Sequence, residues 1–137
     1  HVHEKFSKEG ILELKKLNPE AKVVVHPECK AEVVAEADFA GSTDAILDYC
    51  GQVEDQEFIV VTEAGILAEM EKRMPEKTFI PAPSVDSSVR CNECLEMKKV
   101  TLENIITTLE TLSPEIEMDE ETRKAAERAI LNMVAVK

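Results

Sequence analysis

The sequence has no tryptophan, one tyrosine and four phenylalanines in 137 residues. An interior must therefore be built from aliphatic side chains and methionine, and an apolar fraction of 44% is enough to build one. No apolar run approaches the ~20 residues that cross a bilayer, so no membrane span is expected. No apolar stretch follows the opening His1-Val2-His3-Glu4-Lys5, so no secretory leader is expected either. Position 1 is not methionine, and an internal start is expected. Basic residues are outnumbered: 16 Lys and Arg stand against 28 Asp and Glu, a formal charge of −12. That balance repels a phosphate backbone and argues against a nucleic-acid partner. It leaves small anionic ligands open, because local fields can oppose the net charge. Four cysteines without a leader indicate a reducing, cytoplasmic setting, with free thiols or metal ligands rather than disulfides.

What is present alternates between two patterns. Ser7 is placed to cap a helix with Ile11, Leu14 and Leu17 on its apolar side, and Asn18-Pro19 stops it. Lys22-Val23-Val24-Val25 reads as a buried strand. A short helix around Ala31 to Ala37 follows, then a brief strand at Phe39-Ala40. Thr43 to Cys50 is helical, with Gly51 as terminator. Phe58-Ile59-Val60-Val61 is the clearest strand, Ile66 to Met74 a helix before Pro75, and Thr78-Phe79-Ile80 a fourth strand. Strands alternating with helices at a spacing of roughly 20 residues predict βαβ units and a parallel sheet. Beyond Pro83 the pattern changes. Val100 and Ile105 are placed as a hydrophobic staple around a helix opening at Thr101, with Leu102, Ile105, Ile106, Leu109 and Leu112 on its inner face. Asp119 is placed to cap a last helix presenting Ala126, Ile130 and Met133. The expected architecture is α/β: a three-layer αβα domain at 1–85, with a short parallel sheet of about four strands. A cysteine-bearing loop and C-terminal helical extension occupy 86–137.

In a parallel sheet the strand C-termini share one edge, where ligands bind. His26-Pro27-Glu28 ends the first strand, and imidazole beside carboxylate is a workable general acid–base pair. A loop histidine bonded to backbone is the plainer account. Gly41-Ser42-Thr43-Asp44 opens a helix whose free N–H groups suit a carboxylate or phosphate, though an ordinary cap explains it as well. Thr62-Glu63-Ala64-Gly65 is sufficiently explained as a helix start with Thr62 as its cap. Cys91-Asn92-Glu93-Cys94 is the one close cysteine pair, suited to a soft metal, an iron–sulfur cluster or a dithiol, and its polar context predicts exposure. Cys29 and Cys50 read as small buried hydrophobes. These residues leave three readings open: an enzyme site on the strand-end edge, a non-enzymatic anion-binding module, and a small metal-binding protein using Cys91 and Cys94.

Taken together, Val2-His3-Glu4-Lys5-Phe6, His26-Pro27-Glu28-Cys29, Gly41-Ser42-Thr43, Thr62-Glu63-Ala64-Gly65-Ile66 and Cys91-Asn92-Glu93-Cys94-Leu95-Glu96-Met97-Lys98 resemble the quinolinate synthase family. The resemblance spans the whole chain and corresponds to the C-terminal part of the family's protein, its third αβα domain and final helices. It implies condensation of iminoaspartate with dihydroxyacetone phosphate to quinolinate, a precursor of NAD. It also implies a [4Fe–4S] cluster held by three cysteines, one from each domain, with an open iron acting as a Lewis acid. Cys94 is the implied metal ligand, since it keeps the family's distance to Met97 and to the helix opening at Thr101. Two further ligands belong to upstream domains. His26 and Glu28 fall in the implied substrate pocket as proton-moving residues, and Ser42 and Thr43 at the helix start that receives an anionic group. His3 matches a family position without an assigned role. This chain alone is expected to be inactive.

Overall fold

The computed structural model describes residues 1–84 and 92–136. They form two compact units, His1–Met97 and Lys98–Lys137.

Four strands make the centre of the first unit: β1 (Lys22–Val25), β2 (Phe39–Ala40), β3 (Glu57–Val61) and β4 (Thr78–Pro81). All pairings are parallel, in the order β2-β1-β3-β4. Successive strand side chains point to opposite faces, and the register Val23↔Ile59, Val24↔Val60, Val25↔Val61 keeps β1 and β3 in phase. Val23, Val25, Ile59 and Val61 therefore pack on one face, with Ile11 of α1 (Lys8–Leu17) and Val33 of α2 (Ala31–Val34). Val24, Phe58 and Val60 pack on the other, with Ile46 and Cys50 of α3 (Thr43–Gln52) and Met70 of α4 (Ile66–Arg73). Both faces are covered by helices, and the strands are continuously apolar, as a sheet buried on both sides requires. The fold is the predicted three-layer αβα arrangement with C-terminal helices after it.

Two details place the site. The chain runs from β1 out to β2, then crosses to the other side of β1 to make β3, so the winding direction reverses between β1 and β3. The crevice beyond the carboxyl ends of those strands is where open α/β sheets take their ligands. His26 follows β1 directly, donating its N–H to the Val61 carbonyl at 3.1 Å, and Thr62 follows β3. Second, the N-terminal segment is anchored at both ends of a single 3-10 turn, His3–Lys5. Val2 and Phe6 are buried in the same cluster as Val23 and Val61, and Phe6 forms an antiparallel bridge with Ser84. The buried pair holds the turn against the sheet edge.

Several local expectations are corrected. Leu17 is exposed rather than inward; Ile11 carries the contact of α1 with the core. Helix α3 passes through Gly51 and ends at Gln52, where the Lys77 ammonium takes the carbonyls of Cys50 and Val53 at 2.6 and 2.7 Å. A cation on the terminal carbonyls does the work expected of a glycine cap. Thr62 caps no helix: α4 starts from Gly65 with no side-chain cap.

The second unit holds α5 (Leu102–Thr111) and α6 (Glu120–Ala135). Thr101 and Asn104 form a reciprocal capping box on α5, and Asp119 caps α6 by accepting from the Thr122 N–H at 2.9 Å. Leu102, Ile105, Ile106, Leu109 and Leu112 are exposed, as are Ile130 and Met133, so the expected inner face of α5 is uncovered. A unit of 40 residues is at the size where a core of its own is seldom formed. No helix among the described residues is long and apolar enough to cross a membrane.

Candidate functional site

The strand ends and the N-terminal turn meet at the crevice beyond β1 and β3. The His3 ring, presented by the anchored turn, has Nδ1 3.1 Å from Glu28 Oε2 and Nε2 3.1 Å from Thr62 Oγ1. An ionised carboxylate only accepts, so Nδ1 carries the proton and donates to Glu28. Nε2 of the neutral ring then accepts from the Thr62 hydroxyl. Thr62 is buried, and this bond satisfies it. Burial holds the His3 pKa below 6.5, and the neighbouring His26 lowers it further, against the opposing pull of Glu28. His3 is thus a neutral ring near pH 7.

His26 lies flat on His3, with ring centroids 4.4 Å apart and planes 6° from parallel. Its Nδ1 accepts the Glu28 N–H at 3.3 Å, so the neutral ring carries its proton on Nε2. The Glu28 carboxylate is 4.0 Å from His26 Nδ1 and nearer to His3. The expected His26–Glu28 pair is therefore a triplet in which His3 makes the closer bond to the carboxylate. Ligand atoms of the three lie within 4.8 Å of one another. The parallel stack does not suit a shared metal ion as it stands: an imidazole lone pair lies in its ring plane, and two near-parallel stacked planes do not meet at the ion. The arrangement is a hydrogen-bonded relay from Thr62 through His3 to Glu28.

Glu28 and His3 line a cleft of about 190 Å³ together with Val2, Glu63, Cys94 and Met97. The turn after β3 holds Cys94 there. Glu63 accepts the Cys94 N–H at 3.1 Å, and the Ala64 N–H donates to the Asn92 carbonyl at 2.9 Å. Cys94 is half-buried against the cluster under β1 and β3, less exposed than its polar neighbours suggested. Cys91, its expected companion, lies outside the described residues. Cys29 and Cys50 are core residues on opposite faces of the sheet, and burial pushes both thiols up to about 11. Of the described cysteines, Cys94 alone lines the cleft.

Ser42 and Thr43 stand at the same edge of the sheet, after β2. The Ser42 hydroxyl caps α3 by accepting the Ala45 N–H at 3.3 Å. Among the described residues, no hydrogen bond joins either side chain to His26, Glu28 or Cys94. Gly41 before them is a close approach: a Cβ there would lie 2.8 Å from the Phe39 ring.

Sequence reasoning missed Thr62 as a site residue and left His3 without a role. His3 reaches the strand ends from outside the sheet, so no strand-end pattern marks it.

Known proteins carry the same arrangement of sequence. The family described as NadA, quinolinate synthetase A protein, matches residues 1–135. Quinolinate synthase of Synechococcus sp. is 47% identical over 135 residues, covering 98% of this chain and 42% of that protein. That of Chloroherpeton thalassium is 47% identical over 134 residues with the same two coverages, and that of Synechocystis sp. 46% over 135 residues. The chain therefore spans 42% of the length of these curated relatives. With the match running from His1 to Ala135, the chain belongs to the quinolinate synthetase A protein family.

Proposed function

We propose that this chain is the C-terminal portion of a cytoplasmic quinolinate synthase, which condenses iminoaspartate with dihydroxyacetone phosphate to quinolinate in de novo NAD biosynthesis. The observation that carries the reading is the meeting of the Thr62–His3–Glu28 relay, with His26 stacked on His3, and the Cys94 thiol at the crevice beyond β1 and β3.

The ligands of a [4Fe–4S] group are thiolates, and Cys29 and Cys50 are held as thiols in the core. Cys94 alone of the described cysteines fits, as one ligand; its companions belong to the upstream domains of the same protein. Bound there, the cluster supplies a Lewis-acidic iron that polarises substrate oxygens.

This chain's side chains take a share of the remaining work. Glu28 accepts a proton from substrate, and its bond to His3 Nδ1–H keeps the carboxylate oriented while it does so. His26 presents Nε2–H as a donor to a substrate oxygen, its tautomer fixed by the Glu28 N–H. Ser42 and Thr43, with the free N–H groups at the start of α3, hold a carboxylate or phosphate. Substrate anions enter against the −12 net charge through these local donors.

The test is anaerobic purification of the full-length protein carrying this chain, with quinolinate formation and iron content measured for wild type, Glu28→Gln and Cys94→Ser. Glu28→Gln is expected to keep the iron and lose activity on the order of 100-fold or more, the scale of a general acid–base group. Cys94→Ser is expected to lose both iron and activity. Zinc in place of iron would favour the small metal-binding protein, and full activity of both variants would refute the site.

A further inference from the structure

The sequence predicts Glu63 in the first turn of a helix capped by Thr62. Its carboxylate spans two backbone segments instead. Oε2 accepts the Gly65 N–H at 2.7 Å, inside its own turn after β3. Oε1 accepts the Cys94 N–H at 3.1 Å, 31 residues later in the chain. Two neighbouring bonds run along the same seam: the Ala64 N–H to the Asn92 carbonyl at 2.9 Å, and the Asn92 amide to the Ala82 carbonyl at 3.4 Å. Of these bonds only that of Glu63 reaches Cys94 itself, and it is charge-assisted, the stronger kind.

We propose that Glu63 is a positioning residue for the Cys94 sulfur: it fixes the backbone that carries the thiolate and so sets how firmly this chain holds its share of a metal group. The inference rests on the reading of Cys94 as a metal ligand. Its physical content is that a ligand from a loop must have its orientation fixed by something stiff, and here the stiff element is the end of β3, the strand at the centre of the hydrophobic core. The carboxylate also puts negative charge on the backbone that carries the sulfur, and charge and hydrogen bonding around a cluster tune its electronics.

The experiment compares wild type, Glu63→Ala, Glu63→Gln and Cys94→Ser in the full-length protein, purified without oxygen. Three quantities are read: melting temperature, the rate of iron release to a chelator, and the electron paramagnetic resonance spectrum of the reduced protein. A fourth comes from metal-free protein, the rate of Cys94 alkylation found by peptide mass spectrometry. Glu63→Ala is expected to release iron on the order of 10-fold faster, the scale of an orienting outer partner, and to react faster at Cys94 with Cys29 unchanged. Glu63→Gln, which keeps one acceptor for the Cys94 N–H, is expected to restore most of the iron retention with a shifted resonance spectrum. Iron release at the wild-type rate in Glu63→Ala overturns the proposal. A lowered melting temperature with unchanged iron release also overturns it, because Glu63 then merely shapes its turn. If Cys94→Ser retains all its iron, the ligand assignment itself fails, and faster alkylation in Glu63→Ala would still distinguish that failure from failure of the contact.

Discussion

A cysteine's chemistry follows its access to water, and the described thiols differ sharply in it. Cys29 donates toward the Val61 carbonyl at 3.7 Å within the core, and Cys50 lies wholly buried on the opposite face. With thiols pushed up to about 11, each is ionised in about one molecule in a thousand at about pH 8, and ionisation is what alkylation needs. Iodoacetamide treatment of native protein followed by peptide mass spectrometry should mark Cys94 while leaving Cys29 and Cys50 bare until denaturant is added. Early labelling of Cys50 would contradict the packing of α3 against β3. The burial of both was legible, since each sits beside a strand or helix of apolar residues. Thr62 was not: a threonine before a helix reads as a cap. Its true partner, His3, lies 59 residues away in sequence, beyond the reach of any local pattern.

Elements need their ends fixed as well as their faces buried. Asp38, in the connection from α2 to β2, ties down the start of β1: its Oδ2 accepts the Val23 N–H at 2.8 Å, and Lys22 reaches Oδ1 at 3.3 Å. Burial resists ionisation of Asp38, but the Val23 N–H and the ammonium groups of Lys15 and Lys22 outweigh it, so the carboxyl titrates below 3.8. The folded state therefore binds fewer protons here than the unfolded chain. The stabilisation is present in full above the unfolded value and is lost as pH falls through the folded one. Asp38→Asn should cost about 1–2 kcal/mol in urea unfolding near neutral pH, less than the about 1.5–3 of a full bond to a charged group because the amide oxygen still accepts the Val23 N–H. The gap from wild type should begin to narrow as pH falls below about 4, the unfolded carboxyl value, and go on narrowing as pH falls through the lower folded one. A gap that stays constant over that range would show that the charge does nothing. Strands and helices themselves were legible, because Val23–Val25 and Phe58–Val61 are runs that only a doubly covered sheet accepts. Their ends were less so. Gly51 looks like a stop, yet the residue that closes α3 is Lys77, brought in from the start of β4.

Across the whole α/β unit, the N-terminal segment serves as one wall of the site. Phe6 is fully buried, bridges Ser84, and stands three residues from the His3 ring. Phe6→Ala should cost about 3–5 kcal/mol by denaturant unfolding, the range for removing a buried aromatic ring. That is a large part of the 5–15 kcal/mol that ordinarily holds a domain. A loss under about 1 kcal/mol would mean that the segment is not seated as described. The parallel sheet and its ligand-bearing edge were legible from the alternation of elements. The strand order was not, because no residue pattern states on which side of β1 the third strand will lie, and that choice puts His26 beside Thr62.

Val2 and Met97, nearly the first and the last residues of the α/β unit, border the same cleft. Two residues 95 positions apart in the chain thus share one rim. A pull on either residue deforms the cleft, and through Val2, which packs with Val23 and Val61, it is felt by the sheet as well.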